Sequence, residues 1–283
     1  MKNYKKFIIQ TEPFAADLVS GVLWEFNISG ITQEENSLIV FAEKDSGISK
    51  ASIESLLSKL IDEKVISSFS VYEKIIEDKN WNEEWEKNRE VVKVSEKIII
   101  KPTFKDYKKR NDEIVITIDP KMSFGTGTHE STKLILLLLE KFDLTDKKIL
   151  DVGSGTGILS IAAIKLGAKS AVAVDIDQWC YDNCIENCKL NSVDKQVEVI
   201  KGTIDEVSQN DFDLVLANIQ KNILLEIAAE IKKRVNEKGT IILSGILLKD
   251  EDEIIKHFKL YGLEMIEKET MNEWVALVLK ATS

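Results

Sequence analysis

The stretch KKILDVGSGTGILSIAAIKLG, residues 147–167, decides the fold. A short aliphatic run ends at Asp151, glycines follow at 153, 155 and 157, and an apolar segment of helical character comes next. Strand, tight glycine turn and helix in that order form the nucleotide cradle of an open α/β sheet. The glycine spacing narrows the choice of nucleotide. A dinucleotide fingerprint, G-x-G-x-x-G, needs its third glycine where this chain has Ile158, and no G-x-x-x-x-G-K-S/T phosphate loop is present.

The segments around this turn repeat its alternation of strand and helix. KKILDV, SAVAVDI, VEVIKG, FDLVLANI and TIILSGI read as strands, near-continuous aliphatic runs that suit a sheet covered on both faces. Helices are predicted at about 131–142, 158–166, 177–190, 222–236 and 250–260, and EMIEKETMNEWVALVLKA closes the chain as two strands around a turn. Upstream, KIIIKP and DEIVITIDP read as strands with the polar KDYKKRND as a turn between them. The expected fold is a doubly wound, Rossmann-like α/β domain over residues 97–283.

Residues 1–76 form a different pattern. Strands at 4–10, 37–43 (SLIVFAE) and 66–76 (ISSFSVYEKII) alternate with helical spacing in PFAADLVSGVLWEF and SKASIESLLSKLI, the latter started by Ser49 or Ser52. The order suits a split βαβ, ferredoxin-like α+β domain. A charged connector at 77–96 carries Trp81 and Trp85 at i, i+4 and is read as a solvated helix pinned by two tryptophans.

Two strand ends beyond the glycine turn carry polar groups suited to a ligand. Asp175 ends AVAVD, where a carboxylate can accept both hydroxyls of a ribose, while Asp177 is read as the cap of the next helix. Asn218 ends the strand in FDLVLAN, where a side-chain oxygen can orient an amine. Ile219 and Gln220 follow it, so no aromatic platform for a planar base is present and a flexible aliphatic amine fits better.

Bulk properties exclude several classes. The chain has 283 residues, is 30% charged and carries a formal charge of −10, a field that disfavours free DNA or RNA as the main partner and suits a basic protein. The longest apolar run, LILLLL at 134–139, is far short of a membrane span, and MKNYKKFIIQTEPF lacks the unbroken apolar core of a signal peptide, so the default location is the cytoplasm. Cys180, Cys184 and Cys188 at i, i+4, i+8 read as a packed helical stripe with no fourth ligand, and with only two histidines, His129 and His257, far apart, a histidine-rich metal site or a histidine-centred triad is hard to build.

The turn DVGSGTG fits D/E-x-G-x-G-x-G, the loop in which class I methyltransferases hold S-adenosylmethionine. Together with DPKMSFGTGTHEST at 119–132, AVDID, LANI, LSGIL and the WNEEWEKN connector, it resembles the ribosomal protein L-eleven (L11) methyltransferase family, PrmA, over nearly the whole chain. The resemblance implies methylation of lysine side chains and the α-amino group of that large-subunit protein, with the N-terminal domain recognising the substrate. It implies Thr132, Gly153, Gly155, Asp175 and Asn218 as cofactor contacts, and a loop of Phe124, Gly125 and Thr126 over the sulfonium. Asn218 is expected to position the amine, and His129 to brace the loop. Lys121, Thr203 and the segment ANIQKN depart from the family pattern. The alternatives are a class I methyltransferase acting on another protein lysine or amine, a nicotinamide oxidoreductase, and a non-catalytic binding module.

Overall fold

The computed structural model describes residues 4–281 apart from 16–18, 21–22, 24–25, 27, 29, 35, 44–45, 77–89, 120–122 and 124. The chain divides into two compact units, residues 1–87 and 88–283. Residues 77–89 of the expected helical connector, with Trp81 and Trp85, lie outside the described residues, as do Lys121 and Phe124. The rest of the connector, to 96, is not helical but carries a short strand at Val92–Lys93 within the second unit.

In the first unit, strands β1 (Tyr4–Glu12), β2 (Gly30–Glu34), β3 (Ser37–Glu43) and β4 (Ser68–Ile76) pair antiparallel in the order β2-β3-β1-β4. That is the strand order of a split βαβ unit. Helix α1 (Lys50–Asp62) starts at a capping box in which Ser49 and Ser52 bond each other's backbone. It buries Ile53, Leu57 and Leu60, which share one helical face. The inward residues of the strands, Phe7, Ile9, Leu38, Val40 and Val71, close on that face. The first helix expected in this unit falls partly on residues outside the description; its Val19 and Leu23 are buried in the same core.

The second unit is organised by a seven-stranded sheet. Its strands are β8 (Lys148–Val152), β9 (Ser170–Asp175), β10 (Val197–Lys201), β11 (Phe212–Asn218), β12 (Val235–Leu247), β13 (Leu263–Met271) and β14 (Trp274–Ala281), in the spatial order β10-β9-β8-β11-β12-β14-β13. The first five run parallel, and β14 lies antiparallel between β12 and β13.

Period-two alternation sends successive side chains to opposite faces. Ile149, Leu214, Leu216, Ile242 and Val278 enter one core, and Leu150, Val215, Ala217, Ile241, Leu243 and Leu277 the other. Helices α2 (Glu130–Leu139), α3 (Ile158–Lys165) and α4 (Gln178–Leu190) cover the first face. Helices α5 (Lys221–Glu226), α6 (Ala228–Arg234) and α7 (Glu251–Lys259) cover the second. Each aliphatic side chain so buried contributes about 1.5–3 kcal/mol. Helix α3 is apolar all round because sheet and helices enclose it, and Ile158 to Ile164 are all buried.

Two further details depart from the sequence reading. Strands β6 (Ile98–Lys101) and β7 (Ile114–Thr117) pair parallel, so residues 102–113 form a crossover rather than a turn. A parallel pair requires about a dozen connecting residues, which this polar segment supplies. Here β5 (Val92–Lys93) completes a three-stranded sheet within the second unit. The helix expected over 222–236 breaks at Ile227 into α5 and α6, and β12 already begins at Val235. His257, in the last turn of α7, brings its ring Nε2 to 2.9 Å from the carbonyl of Leu225 and ties α7 to α5.

Candidate functional site

Strand order reverses between β8, whose sequence successor β9 lies on one side, and β11 on the other. Ligands of open α/β sheets bind outside the carboxyl ends of the strands at such a switch point. Gly153 leaves β8 there, Asp175 ends the adjacent β9, and Asn218 ends β11.

The turn after β8 places Gly153, Gly155 and Gly157 at φ of +71°, +54° and +79°. L-residues reach this left-handed region only at a cost, so the repeated glycine is dictated by the turn itself. Packing adds a second constraint. A Cβ on Gly153 would stand 2.3 Å from Ile219 Cγ2, and one on Gly157 would stand 2.5 Å from Cys184 Sγ. The cysteine stripe thus has a packing role: Cys184 and Cys188 are buried and Cys184 fills the space over the turn.

Ile219 is held from the other side by Gly245 of β12, at φ +79° and with Ile219 O only 2.5 Å from where its Cβ would be. Gly245→Ala should therefore destabilise the second unit by about 2–4 kcal/mol, combining backbone strain with overpacking against a carbonyl that cannot yield. Thermal unfolding reads this, and an unchanged melting temperature would contradict it.

Asp175 is half-buried and uses both carboxylate oxygens on backbone. Gly155 N–H donates to Oδ2 at 2.8 Å and Asp177 N–H to Oδ1 at 3.0 Å. One carboxylate thus fixes the glycine turn and the start of α4 together. Asp177 caps α4, accepting the N–H groups of Trp179 and Cys180 at 2.7 and 3.1 Å. Thr203 is committed elsewhere: its hydroxyl and its N–H both donate to Glu206 Oε2 at 2.7 Å, closing a short capping box.

Asn218 lies where β11 emerges. Its Nδ2 donates to the hydroxyl of buried Thr132 at 3.1 Å, while its Oδ1 is buried without a hydrogen-bond partner. Thr132 sits in the first turn of α2, which His129 caps by accepting Ser131 N–H at 3.2 Å. The imidazole also stands edge-on to Trp274, with ring centroids 4.7 Å apart. The structure therefore brings Thr132 and Asn218 together, and Gly155 and Asp175 together, around the end of β8. Buried acceptors are normally satisfied, so an orphaned Oδ1 at a switch point marks a place where a donor belongs.

Asp151, at the base of the turn, is fully buried. Its Oδ2 accepts from Ser160 N–H and Oγ at 3.1 and 2.8 Å, and its Oδ1 has no partner. Burial pushes its carboxyl up to about 6, against the opposing effect of the Ser160 hydrogen bonds. Between its ordinary value near 3.8 and about 6 the folded state binds more proton than the unfolded one. Stability therefore falls as pH rises through that window and is level above it, by about 3 kcal/mol in total. Asp151→Asn removes this dependence, so the stability of parent minus variant should drop by about 2.5 kcal/mol between pH 4 and pH 8. Urea titrations at the two pH values test it, and a constant difference would contradict it.

Two groups of residues were not singled out from sequence. Asn183 and Asn187 on α4 and Asn191 at its C-cap recur every four residues, are buried, and bond the backbone of Thr117, Asp119 and Thr156. Thr156, inside the turn, donates its hydroxyl to Gly125 O at 2.6 Å. The signal for the asparagines was available, since three of them on one face of a half-buried helix run against their helical preference.

A cavity of about 540 Å³ opens at the amino ends of β8, β11 and β12 beside Lys147, Asp213 and Lys238. It lies at the edge away from the switch point, and none of the orphaned buried polar atoms lines it. We place the site at the carboxyl edge, where the polar groups converge. Among the described residues no cluster of three or more His, Cys, Asp or Glu is placed to hold a metal ion, and no helix is long and apolar enough to cross a membrane.

Comparison with known proteins covers the whole chain. A family model described as ribosomal protein L11 methyltransferase (PrmA) matches residues 3–282. A protein of Alkaliphilus oremlandii named ribosomal protein L11 methyltransferase is 32% identical over 96% of this chain and 96% of its own. One of the same name from Fusobacterium nucleatum is 33% identical over 93% and 92%. The crystal structure of a ribosomal protein L11 methylase from Lactobacillus delbrueckii subsp. bulgaricus superposes with a TM-score of 0.65 at 31% identity, over 69% of this chain and all of that one. With a family match from end to end and relatives of this identity and coverage, the chain belongs to the ribosomal protein L11 methyltransferase family.

Proposed function

We infer that the protein transfers methyl groups from S-adenosylmethionine to lysine side-chain and N-terminal amines of ribosomal protein L11, in the cytoplasm, on the free or the ribosome-bound protein. Family membership supports the donor and the substrate. The observation that carries the reading is the buried, unpartnered Oδ1 of Asn218 beside the glycine turn.

The residues fit S-adenosylmethionine. Asp175 offers a carboxylate with remaining lone pairs for a vicinal diol, and the turn at Gly153 and Gly155 presents backbone free of Cβ atoms. Ser154 Oγ and Asn218 Oδ1 are buried without partners, and Thr132 stands within reach of Asn218. When bound, S-adenosylmethionine supplies a methyl carbon already activated by a sulfonium, so the protein has to align and desolvate the amine rather than activate the donor.

The chain's own task is the amine. A lysine of pKa about 10.4 is neutral only about one part in a thousand near pH 7, a cost of roughly 4–5 kcal/mol. A partly apolar crevice favours the neutral form. Asn218 Oδ1 accepts one amine N–H and aims the nitrogen lone pair, and the fixed Thr132 contact keeps the amide from rotating. The released proton leaves to solvent, since His129 is engaged as the α2 cap. The N-terminal domain, residues 1–76, recognises the substrate protein, and its own hydrophobic core supports an independent docking unit. The acidic chain suits a basic partner and gives no reason for nucleic-acid specificity.

Thermal unfolding with S-adenosylmethionine or NAD tests the cofactor. At one hundred times its dissociation constant a ligand adds about 2.7 kcal/mol, so S-adenosylmethionine should raise the transition by several degrees and NAD leave it in place. Protection by NAD alone would overturn the reading.

A further inference from the structure

Residues 117–119 leave β7, whose open edge has no neighbouring strand among the described residues. Alternate residues of an extended chain point their backbone groups to the same side, and the asparagines of α4 take the place of the missing strand there. Asn191 accepts Thr117 N–H at 2.9 Å and donates to Thr117 O at 2.6 Å. Asn183 donates to Asp119 O at 2.8 Å, and Asn187 accepts Asp119 N–H at 3.0 Å.

Asn187 differs from its neighbours in what its other end holds. Its Nδ2 donates to Thr156 O at 2.9 Å, inside the glycine turn. Thr156 in turn donates its hydroxyl to Gly125 O. One wholly buried amide therefore joins the turn to Asp119, and the turn also holds Gly125 through the Thr156 hydroxyl. The chemistry of the partners, an N–H and a carbonyl, leaves the amide a single orientation.

We propose that Asn187 is a positioning residue of the cofactor site, fixing the glycine turn at Thr156 against Asp119 and Gly125. The inference rests on the S-adenosylmethionine reading above. Asn191, the C-cap of α4, anchors the same segment and also donates to Asn187 O at 2.8 Å, but it has no bond to the turn, so it separates positioning from stability.

The test is titration calorimetry of S-adenosylmethionine against the parent protein, Asn187→Ala, Asn191→Ala and Thr156→Val, with melting temperatures alongside. Both asparagine variants lower the melting temperature. Asn187→Ala weakens binding roughly tenfold, about 1.4 kcal/mol, while Asn191→Ala stays within about twofold. Thr156→Val also weakens binding, and combined with Asn187→Ala it costs less than the product of the two. Equal weakening in Asn187→Ala and Asn191→Ala, or parent affinity in Asn187→Ala, overturns the proposal. Should Asn187→Ala fail to fold, parent affinity in Thr156→Val overturns it instead. A parent protein that binds no S-adenosylmethionine overturns the cofactor reading and this inference with it.

Discussion

Asn218→Ala should lower methyl transfer by about 10²–10³-fold while the protein stays folded. The substitution deletes the orphaned acceptor at the end of β11 and the amide that Thr132 holds in place. An amine without that acceptor samples many orientations, and few of them point its lone pair at the methyl carbon. The structural loss is small, because the side chain is half-buried and makes one hydrogen bond in the described structure, to Thr132. Such a bond contributes about 1 kcal/mol, so circular dichroism and the melting temperature change little. Because Asn218 is also a proposed cofactor contact, transfer is measured at saturating S-adenosylmethionine, and the loss is read in kcat. A variant with near-parent kcat would show that the amine is positioned by another group.

Asp175→Ala should weaken S-adenosylmethionine binding by about 100-fold or more. Two backbone N–H groups now depend on this carboxylate, Gly155 and Asp177. Hydrogen bonds to a charged acceptor contribute roughly 1.5–3 kcal/mol each, and a buried N–H left unpaired costs about as much again. Gly155 is buried, so water replaces the carboxylate there poorly. Loss of the two bonds loosens the turn, and loss of the acid removes the acceptor for the ribose. Asp175→Asn separates these effects. An amide keeps one acceptor oxygen, so it serves one of the two N–H groups, and its affinity should fall between parent and alanine. Calorimetry that finds Asp175→Ala within threefold of the parent would place the ribose elsewhere.

The sequence carried the architecture of the second unit well for a physical reason. Buried parallel strands are aliphatic runs, and the left-handed turn after β8 tolerates little but glycine, so both leave marks that survive without coordinates. The position of Asn218 was legible because a polar amide stands out at the end of the aliphatic run it closes. Partnerships across the fold were less legible. Nothing local to Asn187 announces that its amide meets Asp119 and Thr156, although the recurrence of asparagine every four residues hinted at it. The parallel pairing of β6 and β7 was hidden because a polar segment of that length looks the same as a turn or as a crossover. Gly245 was read as part of a strand, and its contact with Ile219 emerges only when β11 and β12 are laid side by side.

One measurement bears most directly on the function. Purified large-subunit ribosomal proteins are incubated with the protein and labelled S-adenosylmethionine, then read by intact mass and peptide mapping. Label confined to lysines and the N-terminus of ribosomal protein L11 is the expected result. Cofactor binding without label on L11, or label on a different protein's amines, would contradict the proposed substrate and leave the fold and cofactor site to serve another amine.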